Sequence, residues 1–140
     1  PAGFGYVTPP TVAGDPALRK EYDRHMASCS RLYGKMMRAG IPPEDARFVL
    51  PNATETKILI TMNARELHHF FALRTCRRAQ WEIRDMAMRM LAIAKAEAPV
   101  LFETAGPGCV RGRCPEGKMS CGKAAEVRRE IAALAGRTGP

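Results

Sequence analysis

Apolar residues recur at helical spacing in three long stretches of this chain. The first begins after Asp15, an N-cap residue followed by proline, and ends at the helix stop signal Gly40. The second begins at Asn63, whose distance from Glu66 is that of a capping box, and the third covers residues 79–98. We expect three amphipathic helices that bury their apolar stripes. The stripes comprise Leu18, Tyr22, Met26, Cys29, Tyr33, Met36 and Met37 in the first helix, Leu67, Phe70, Phe71 and Leu73 in the second, and Trp81, Met86, Met90, Leu91 and Ala94 in the third.

Shorter elements are expected around these helices. Residues 54–62 are rich in threonine and isoleucine, which predicts a β-strand between the first two helices. A helical turn is expected over residues 42–45, ahead of Pro51, and residues 1–14 are expected to be extended or looped. A last helix is expected over residues 123–135. Together these elements predict an α+β fold that is mostly helical, with long amphipathic helices flanking at least one strand.

Length and composition limit the class of protein. With 140 residues and a hydrophobic content of 46%, residues 1–140 can form a single domain or the C-terminal part of a larger single-domain protein. No apolar run approaches the roughly 18–20 residues that a membrane span needs, so no membrane partner is expected. The net charge of +8 favours anionic partners such as nucleotides or nucleic acids. Five cysteines without a secretory signal predict reduced thiols in a cytoplasmic protein.

Basic and polar residues gather around the predicted strand and the second helix. Asn63 and Arg65 stand where the strand would meet the helix N-terminus, whose free backbone N–H groups suit an anionic or carbonyl-bearing ligand. His69 follows Arg65 by one turn, Arg74 ends the helix, and Arg47 precedes a short apolar segment. A guanidinium can donate two parallel hydrogen bonds to a phosphate, a carboxylate or a pyrimidine edge. The alternative is structural: Asn63 only caps the helix, and the arginines pair with nearby glutamates.

Four blocks of sequence occur in a characteristic order. They are ARFVLP at residues 46–51, MNARELHHF at 62–70, LR at 73–74 and RAQWEIR at 78–84. In these blocks the chain resembles the flavin-dependent thymidylate synthases, and the resemblance extends over residues 18–103. It implies a homotetrameric enzyme that binds FAD and makes thymidylate from dUMP, with methylenetetrahydrofolate as carbon donor and NADPH as reductant of the flavin. It also implies a fold in which helices flank a central sheet.

The resemblance implies a role for each candidate residue. Arg47 and Arg74 would contact the nucleotide, and Arg74 would be the catalytic group that favours ionisation at N3 of the uracil. Asn63, Arg65 and His69 would hold the flavin. A guanidinium that stabilises the anion developing on the ring is an example of electrostatic catalysis. A variant of the same class would methylate UMP, because nothing in these residues indicates how the 2′ position of the ribose is read.

Two features depart from the pattern of these enzymes. Their signature, an Arg-His-Arg element followed by spaced serines and ending in Arg-Tyr, is absent. Arg24, His25 and Met26 resemble it superficially but lack the second arginine and the serines. This predicts that the chain is the C-terminal part of a longer protein and that alone it forms an incomplete site. In addition, Arg78 stands where some members have a histidine near the flavin.

Residues 104–122 are rich in cysteine and glycine, and this composition predicts a loop. Cys109, Cys114 and Cys121 are separated by four and six residues. Three thiolates could bind a structural zinc ion if Cys76 or a histidine supplied the fourth ligand. Their spacing is wider than a two-residue zinc knuckle, and we therefore expect no metal and a flexible or disulfide-capable loop.

Two other functional classes remain open. A basic nucleic-acid-binding module would account for the net charge of +8. Most aromatic side chains, however, fall on predicted core faces, where they cannot stack on bases, so we expect no nucleic-acid partner. The other class is a catalytically inactive relative that assembles with a complete partner.

Overall fold

The computed structural model describes residues 3–134, and the regular elements in this range are helical. Contacts within the chain divide it into two compact units, Pro1–Leu59 and Ile60–Pro140. The first unit contains α1 (Pro10–Ala13), α2 (Pro16–Arg38), α3 (Pro43–Ala46) and a 3-10 turn (Arg47–Val49). The second contains α4 (Ala64–Arg74), α5 (Trp81–Glu97), α6 (Pro99–Phe102), α7 (Gly108–Arg111), a 3-10 turn (Gly117–Met119) and α8 (Ala124–Leu134).

The long helix α2 organises the first unit. The Asp15 carboxylate caps it by accepting hydrogen bonds from the backbone N–H groups of Ala17 and Leu18, at 2.9 and 3.1 Å. This cap is the one that the sequence predicts, and the helix ends two residues before Gly40, whose φ of 79° favours glycine. Residues 1–14 are not entirely looped as expected, because Pro10–Ala13 form the single turn α1.

The interior of the first unit is small. Among residues 3–59, the buried ones are Met26 and Gly34 of α2 and Ala46 of α3. Two tyrosines join the N-terminal segment to α2. The Tyr22 hydroxyl donates to the carbonyl oxygen of Val7, and the Tyr6 hydroxyl donates to the Asp23 carboxylate, both at 2.8 Å.

The predictions of a strand over residues 54–62 and of a central sheet are wrong. Among the described residues, the β-structure is a single isolated antiparallel bridge between Tyr6 and Thr54, and residues 55–63 have no assigned secondary structure. Ile58 and Leu59 are 77% and 98% exposed. A strand needs a neighbouring strand to satisfy its backbone groups, and composition does not indicate whether one is available. The described part of the chain is therefore all-helical rather than α+β.

The second unit surrounds a continuous apolar core. Phe71 of α4, Leu91 of α5 and Ile131 of α8 lie at its centre with exposed fractions of 2% or less. The remaining buried members of this cluster are Phe102, Ala105, Cys109 and Val127. The segment predicted as the loop 104–122 is thus partly helical and contributes to the core through α7. The last helix was predicted to end at residue 135, which lies outside the described residues.

Three predicted core side chains of the second unit are exposed: Leu73, Trp81 and Met86. On α5 the buried positions are Ala87, Leu91 and Lys95, which follow one another at intervals of four residues. Met86 is rotated by about 100° from that buried line, since an α-helix has 3.6 residues per turn. The buried stripe is narrower than the apolar stripe in the sequence. No helix in the described range is long and apolar enough to cross a membrane.

Candidate functional site

The N-terminus of α4 carries the three residues assigned by resemblance to flavin binding. The Asn63 side-chain oxygen accepts a hydrogen bond from the backbone N–H of Glu66 at 2.9 Å, which confirms its predicted capping role. Arg65 and His69 are exposed and lie one turn apart on the same face of the helix. A segment without assigned secondary structure, rather than the predicted strand, leads into this helix. The arrangement presents donors beside the positive end of the helix dipole.

Arg74 is the last residue of α4, as predicted, and its side chain is exposed. The next residue, Thr75, is fully buried, and its hydroxyl donates to the Phe71 carbonyl oxygen at 2.6 Å. Arg74 is rotated by about 140° from His69 around the helix axis, as the helical pitch requires. Arg65 and His69 therefore form one group, whereas Arg74 stands apart at the opposite end of the helix.

Arg47 belongs to the other unit of the chain. It opens the 3-10 turn that follows α3, and its side chain is exposed. The next residue, Phe48, is 89% exposed. The structure thus places one predicted nucleotide-binding arginine in the first unit and the other, Arg74, in the second.

Within the described residues, Arg47, Arg65 and Arg74 form no ion pair and no side-chain hydrogen bond. For Arg65 and Arg74, the alternative of ion pairs with carboxylates such as Glu66 or Glu82 is not found among the described residues. Other arginines of the second unit behave differently. Arg84, for example, pairs with Glu130 at 2.9 Å. The three candidate guanidiniums consequently keep their donors free for an anionic ligand.

The segment between α4 and α5 contains arginines with structural partners. Arg77 pairs with Glu126 of α8 at 2.8 Å, and this carboxylate raises the pKa of the guanidinium. Arg78, which was considered near the flavin, donates to the carbonyl oxygen of Met119 at 2.8 Å. These two contacts attach the segment to α8 and to the 3-10 turn before it. No local sequence signal indicates either contact, because the partners lie about 40 to 50 residues along the chain.

Sequence reasoning also missed the role of His68. Its Nε2 atom is 2.9 Å from the carbonyl oxygen of Leu101, and its ring stacks on Phe102 at a centroid distance of 5.2 Å. The neighbouring His69 is exposed to solvent. Of these two adjacent histidines, His68 therefore makes internal contacts, whereas the side chain of His69 faces solvent.

All five cysteines are unpaired thiols. Burial raises the pKa of Cys109, and the neighbouring thiols of Cys114, Cys76 and Cys121 raise it further. Among the described residues, no three histidine, cysteine or acidic side chains are already assembled around a point that a metal ion could occupy.

Comparison with known proteins identifies the family. Residues 2–100 match the family model described as thymidylate synthase complementing protein. The chain belongs to this family. The blocks at residues 46–51, 62–70, 73–74 and 78–84 all lie within the matched range, and the resemblance that they indicate is confirmed.

Individual members of the family are similar over most of this chain. A protein of Geobacter sulfurreducens named flavin-dependent thymidylate synthase is 56% identical over 127 residues, covering 91% of this chain and 55% of the relative. Proteins with the same name from Clostridium tetani and Thermococcus onnurineus are 45% and 48% identical, covering 90% and 81% of this chain and 57% and 49% of the relatives. The chain spans about half the length of these curated relatives.

Proposed function

We propose that this chain supplies part of the active site of a flavin-dependent thymidylate synthase. The reaction is methylation of uracil at C5 in dUMP, with methylenetetrahydrofolate as carbon donor and NADPH as reductant. The active form is a cytoplasmic homotetramer. Support comes from the family match over residues 2–100 and from relatives that are named flavin-dependent thymidylate synthase. Since the chain spans about half of those relatives, other parts of the enzyme would complete the site.

The observation that carries the proposal is the state of three arginines. Arg47, Arg65 and Arg74 are exposed, and within the described range none is neutralised by an internal carboxylate. A chain with a net charge of +8 that leaves these guanidiniums unpaired is suited to bind anions. Both dUMP and FAD carry phosphates, and phosphate is a preferred partner of arginine.

In this proposal Arg47 and Arg74 bind the nucleotide. A guanidinium can donate to the phosphate or to the uracil edge through two parallel hydrogen bonds. Arg74 donates to the uracil near N3 and the adjacent carbonyl, where it stabilises the negative charge that develops as C5 becomes nucleophilic. Arg47 contributes mainly to binding of the nucleotide.

Asn63, Arg65 and His69 have a donor set that fits FAD. Asn63 uses its side-chain oxygen for the helix cap, which leaves its amide N–H groups available as donors. Arg65 supplies a permanent positive charge, and the His69 ring can donate to or accept from a flavin edge. When bound, the flavin supplies the hydride that the methylation consumes. The contribution of these three residues is to bind and orient it beside the helix N-terminus.

The test uses Arg74→Ala in the full-length protein, with Arg89→Ala as the control. Arg89 is an exposed arginine of α5 that pairs with Asp85 of its own helix, at 3.0 Å. We expect Arg74→Ala to lower turnover at least about 100-fold, the effect of removing one group that stabilises an oxyanion. Its flavin absorbance and FAD stoichiometry should match those of the wild type. Arg89→Ala should keep both turnover and FAD.

A second variant separates binding from chemistry. Arg47→Ala should weaken dUMP binding about tenfold or more in a calorimetric titration, because a charge-assisted contact to the nucleotide is lost. Near-normal turnover of Arg74→Ala would refute its catalytic role. An unchanged dissociation constant for Arg47→Ala would refute its role in binding. A colourless full-length protein that binds DNA in a salt-dependent way would replace the enzyme proposal with the nucleic-acid alternative.

A further inference from the structure

Residues 75–80 connect α4 to α5 and begin directly after Arg74. At the first of these positions Thr75 is fully buried, and both its backbone N–H and its hydroxyl donate to the Phe71 carbonyl oxygen, at 3.1 and 2.6 Å. The Arg74 side chain itself is exposed and forms no ion pair within the described residues. The position of its guanidinium therefore depends on how the connecting segment 75–80 is held.

Arg77, in the middle of the connecting segment, contacts α8. Its Nη1 atom is 2.8 Å from the Glu126 carboxylate, and its Nη2 atom is 3.5 Å from the Glu130 carboxylate. The two glutamates are four residues apart and therefore lie on one face of α8, one turn from each other. One guanidinium thus attaches the connecting segment to two successive turns of a helix that is distant in the sequence.

Helix α8 holds these two carboxylates in place. Val127 and Ile131, which directly follow the glutamates in the sequence, are 1% and 2% exposed and belong to the apolar core. The backbone that carries Glu126 and Glu130 is therefore fixed by the core. In addition, the Arg84 Nη2 atom of α5 donates to both oxygens of Glu130 at 2.9 Å, which orients this carboxylate.

We propose that Arg77 is a positioning residue for Arg74: its contacts with the two glutamates of α8 fix the connecting segment, and with it the guanidinium that acts on the uracil. This rests on the proposed function, from which the role of Arg74 is taken. It also assigns a role to α8, which lies beyond residue 100, where the family match ends.

The exposure of these ion pairs favours a role in geometry over a role in stability. The Arg77 side chain is 29% exposed, and those of Glu126 and Glu130 are 49% and 33% exposed. Ion pairs with partly exposed partners contribute little to the free energy of unfolding. Misplacing a catalytic group by about 1 Å, in contrast, can lower the rate by about 100-fold. We therefore expect the loss of Arg77 to affect turnover more than stability.

The neighbouring Arg78 also attaches the connecting segment, because it donates to the Met119 carbonyl oxygen at 2.8 Å. It stands, however, where some members of the family have a histidine near the flavin. A substitution of Arg78 would consequently not separate positioning of Arg74 from binding of FAD. Arg77 is the residue whose change tests positioning alone.

The experiment measures thymidylate formation by variants of the full-length protein. Arg77→Gln should lower kcat about tenfold, while its FAD content and its denaturation midpoint stay close to those of the wild type. Glu126→Gln, which leaves the pair between Arg84 and Glu130 intact, should lower kcat in the same direction but less. Arg77→Lys keeps the positive charge and should recover part of the loss. Arg89→Gln is the matched control, because Arg89 pairs with Asp85 inside α5 at 3.0 Å.

A double-mutant cycle decides whether Arg77 acts through Arg74. If it does, Arg77→Gln should change kcat little when it is added to Arg74→Ala, because the group that it positions is already absent. Equal falls in kcat in the wild-type and Arg74→Ala backgrounds would overturn the proposal. A fall in kcat for Arg89→Gln as large as that for Arg77→Gln would also overturn it.

Hydrogen exchange of the amides of residues 75–80, followed by mass spectrometry, tests the attachment without substrate. Exchange should be faster in Arg77→Gln than in the wild type or in Arg89→Gln, and unchanged exchange would contradict the proposal. The kinetic results separate the two possible failures. If Arg74→Ala keeps near-normal turnover, the proposed role of Arg74 fails, and its positioning by Arg77 fails with it. If Arg74→Ala loses turnover and Arg77→Gln does not, only the positioning role is wrong.

Discussion

The two units of the chain use apolar side chains in different ways. The second unit packs residues from five helices around Phe71 and Leu91, both of which are fully buried. In the described residues of the first unit, the buried residues are Met26, Gly34 and Ala46, and several large apolar side chains are exposed. They are Leu18, Leu32, Met37, Ile41, Phe48, Ile58 and Leu59. Helical periodicity predicts that a helix is amphipathic, but the number of elements that surround it decides how much of its apolar face is buried.

The same contrast holds for charged groups. In the second unit, Lys95 is 7% exposed, and its ammonium group donates to the carbonyl oxygens of Phe102 and Glu103 at 2.8 and 2.7 Å. In the first unit the corresponding contact is on the surface, where Arg19 pairs with Asp23 at 2.8 Å. A buried charge must have partners, whereas an exposed ion pair contributes little. Substitutions in each unit can therefore test whether side chains that are more deeply buried contribute more to the free energy of unfolding.

The largest effect is expected for Phe71→Ala in the second unit. Removing a fully buried phenyl ring leaves a cavity and should lower the free energy of unfolding by about 3–5 kcal/mol. Trp81, the single tryptophan, lies in the same unit, so its fluorescence during denaturant unfolding reports the change. Phe48→Ala is the matched control, because that ring is 89% exposed and its loss should change stability by no more than about 0.5 kcal/mol. Equal losses in the two variants would disprove the contrast.

A smaller loss is expected for Met26→Ala in the first unit. Met26 is 4% exposed, but it is the only large side chain that α2 buries within the described residues. The cost should therefore lie near the lower limit for methionine in a core, about 2 kcal/mol. Hydrogen exchange of the α2 amides, followed by mass spectrometry, measures it locally. Met37→Ala on the same helix, with a side chain that is 38% exposed, should leave this exchange nearly unchanged. If the α2 amides exchange no faster in Met26→Ala than in Met37→Ala, the prediction that Met26 stabilises α2 by its burial is wrong.

The features that were predicted best from the sequence are those that depend on residues adjacent to one another in the chain. The starts of α2 and α4 were correct because Asp15 and Asn63 cap the backbone of the next turn. The prediction of a strand over residues 54–62 was wrong because a strand forms only beside a partner strand, and amino-acid composition does not indicate whether one is present. The prediction that Leu73 is buried was also wrong. Leu73 is two residues from each of the buried residues Phe71 and Thr75, and it therefore projects from the opposite side of the helix.

The same distinction, between features set by adjacent residues and features set by distant residues, applies to the candidate site. The positions of Arg65 and His69 on one helical face, and of Arg74 at the helix end, follow directly from their spacing. That Arg65 and Arg74 form no ion pair with any residue of the described range could be learned only from the structure, because glutamates suitable for pairing are present nearby in the sequence. The contact between Arg78 and the Met119 carbonyl oxygen also required the structure, because the two residues lie in distant stretches of the chain.

The third prediction concerns the buried charge of Lys95. Lys95→Met keeps the apolar stem but leaves two carbonyl oxygens without a donor, which should cost about 1 kcal/mol at neutral pH. Burial lowers the pKa of Lys95 from 10.5, although Glu103 partly opposes this. Between the folded pKa and 10.5 the unfolded chain binds more protons, so wild-type stability should rise with pH in that window. Denaturant titrations at several alkaline pH values should show this rise in the wild type and not in Lys95→Met; parallel curves would refute it.

The smallest effect is expected for Asp23→Asn on the surface of the first unit. Hydrogen bonds from Tyr6 and Arg19 lower the pKa of the Asp23 carboxyl. Because the folded pKa is below 3.8, the stabilisation is fully present above that value and is lost as the pH falls through the folded pKa. The denaturation midpoint of Asp23→Asn should therefore lie slightly below that of the wild type at neutral pH, and the two should converge in acid. Glu21→Gln is the control on the same helix, as Glu21 is exposed and has no ion pair among the described residues. A difference between Asp23→Asn and wild type that persists in acid would mean that Asp23 acts through packing rather than through its charge, and the surface ion pair would then be no counterpart to the buried Lys95.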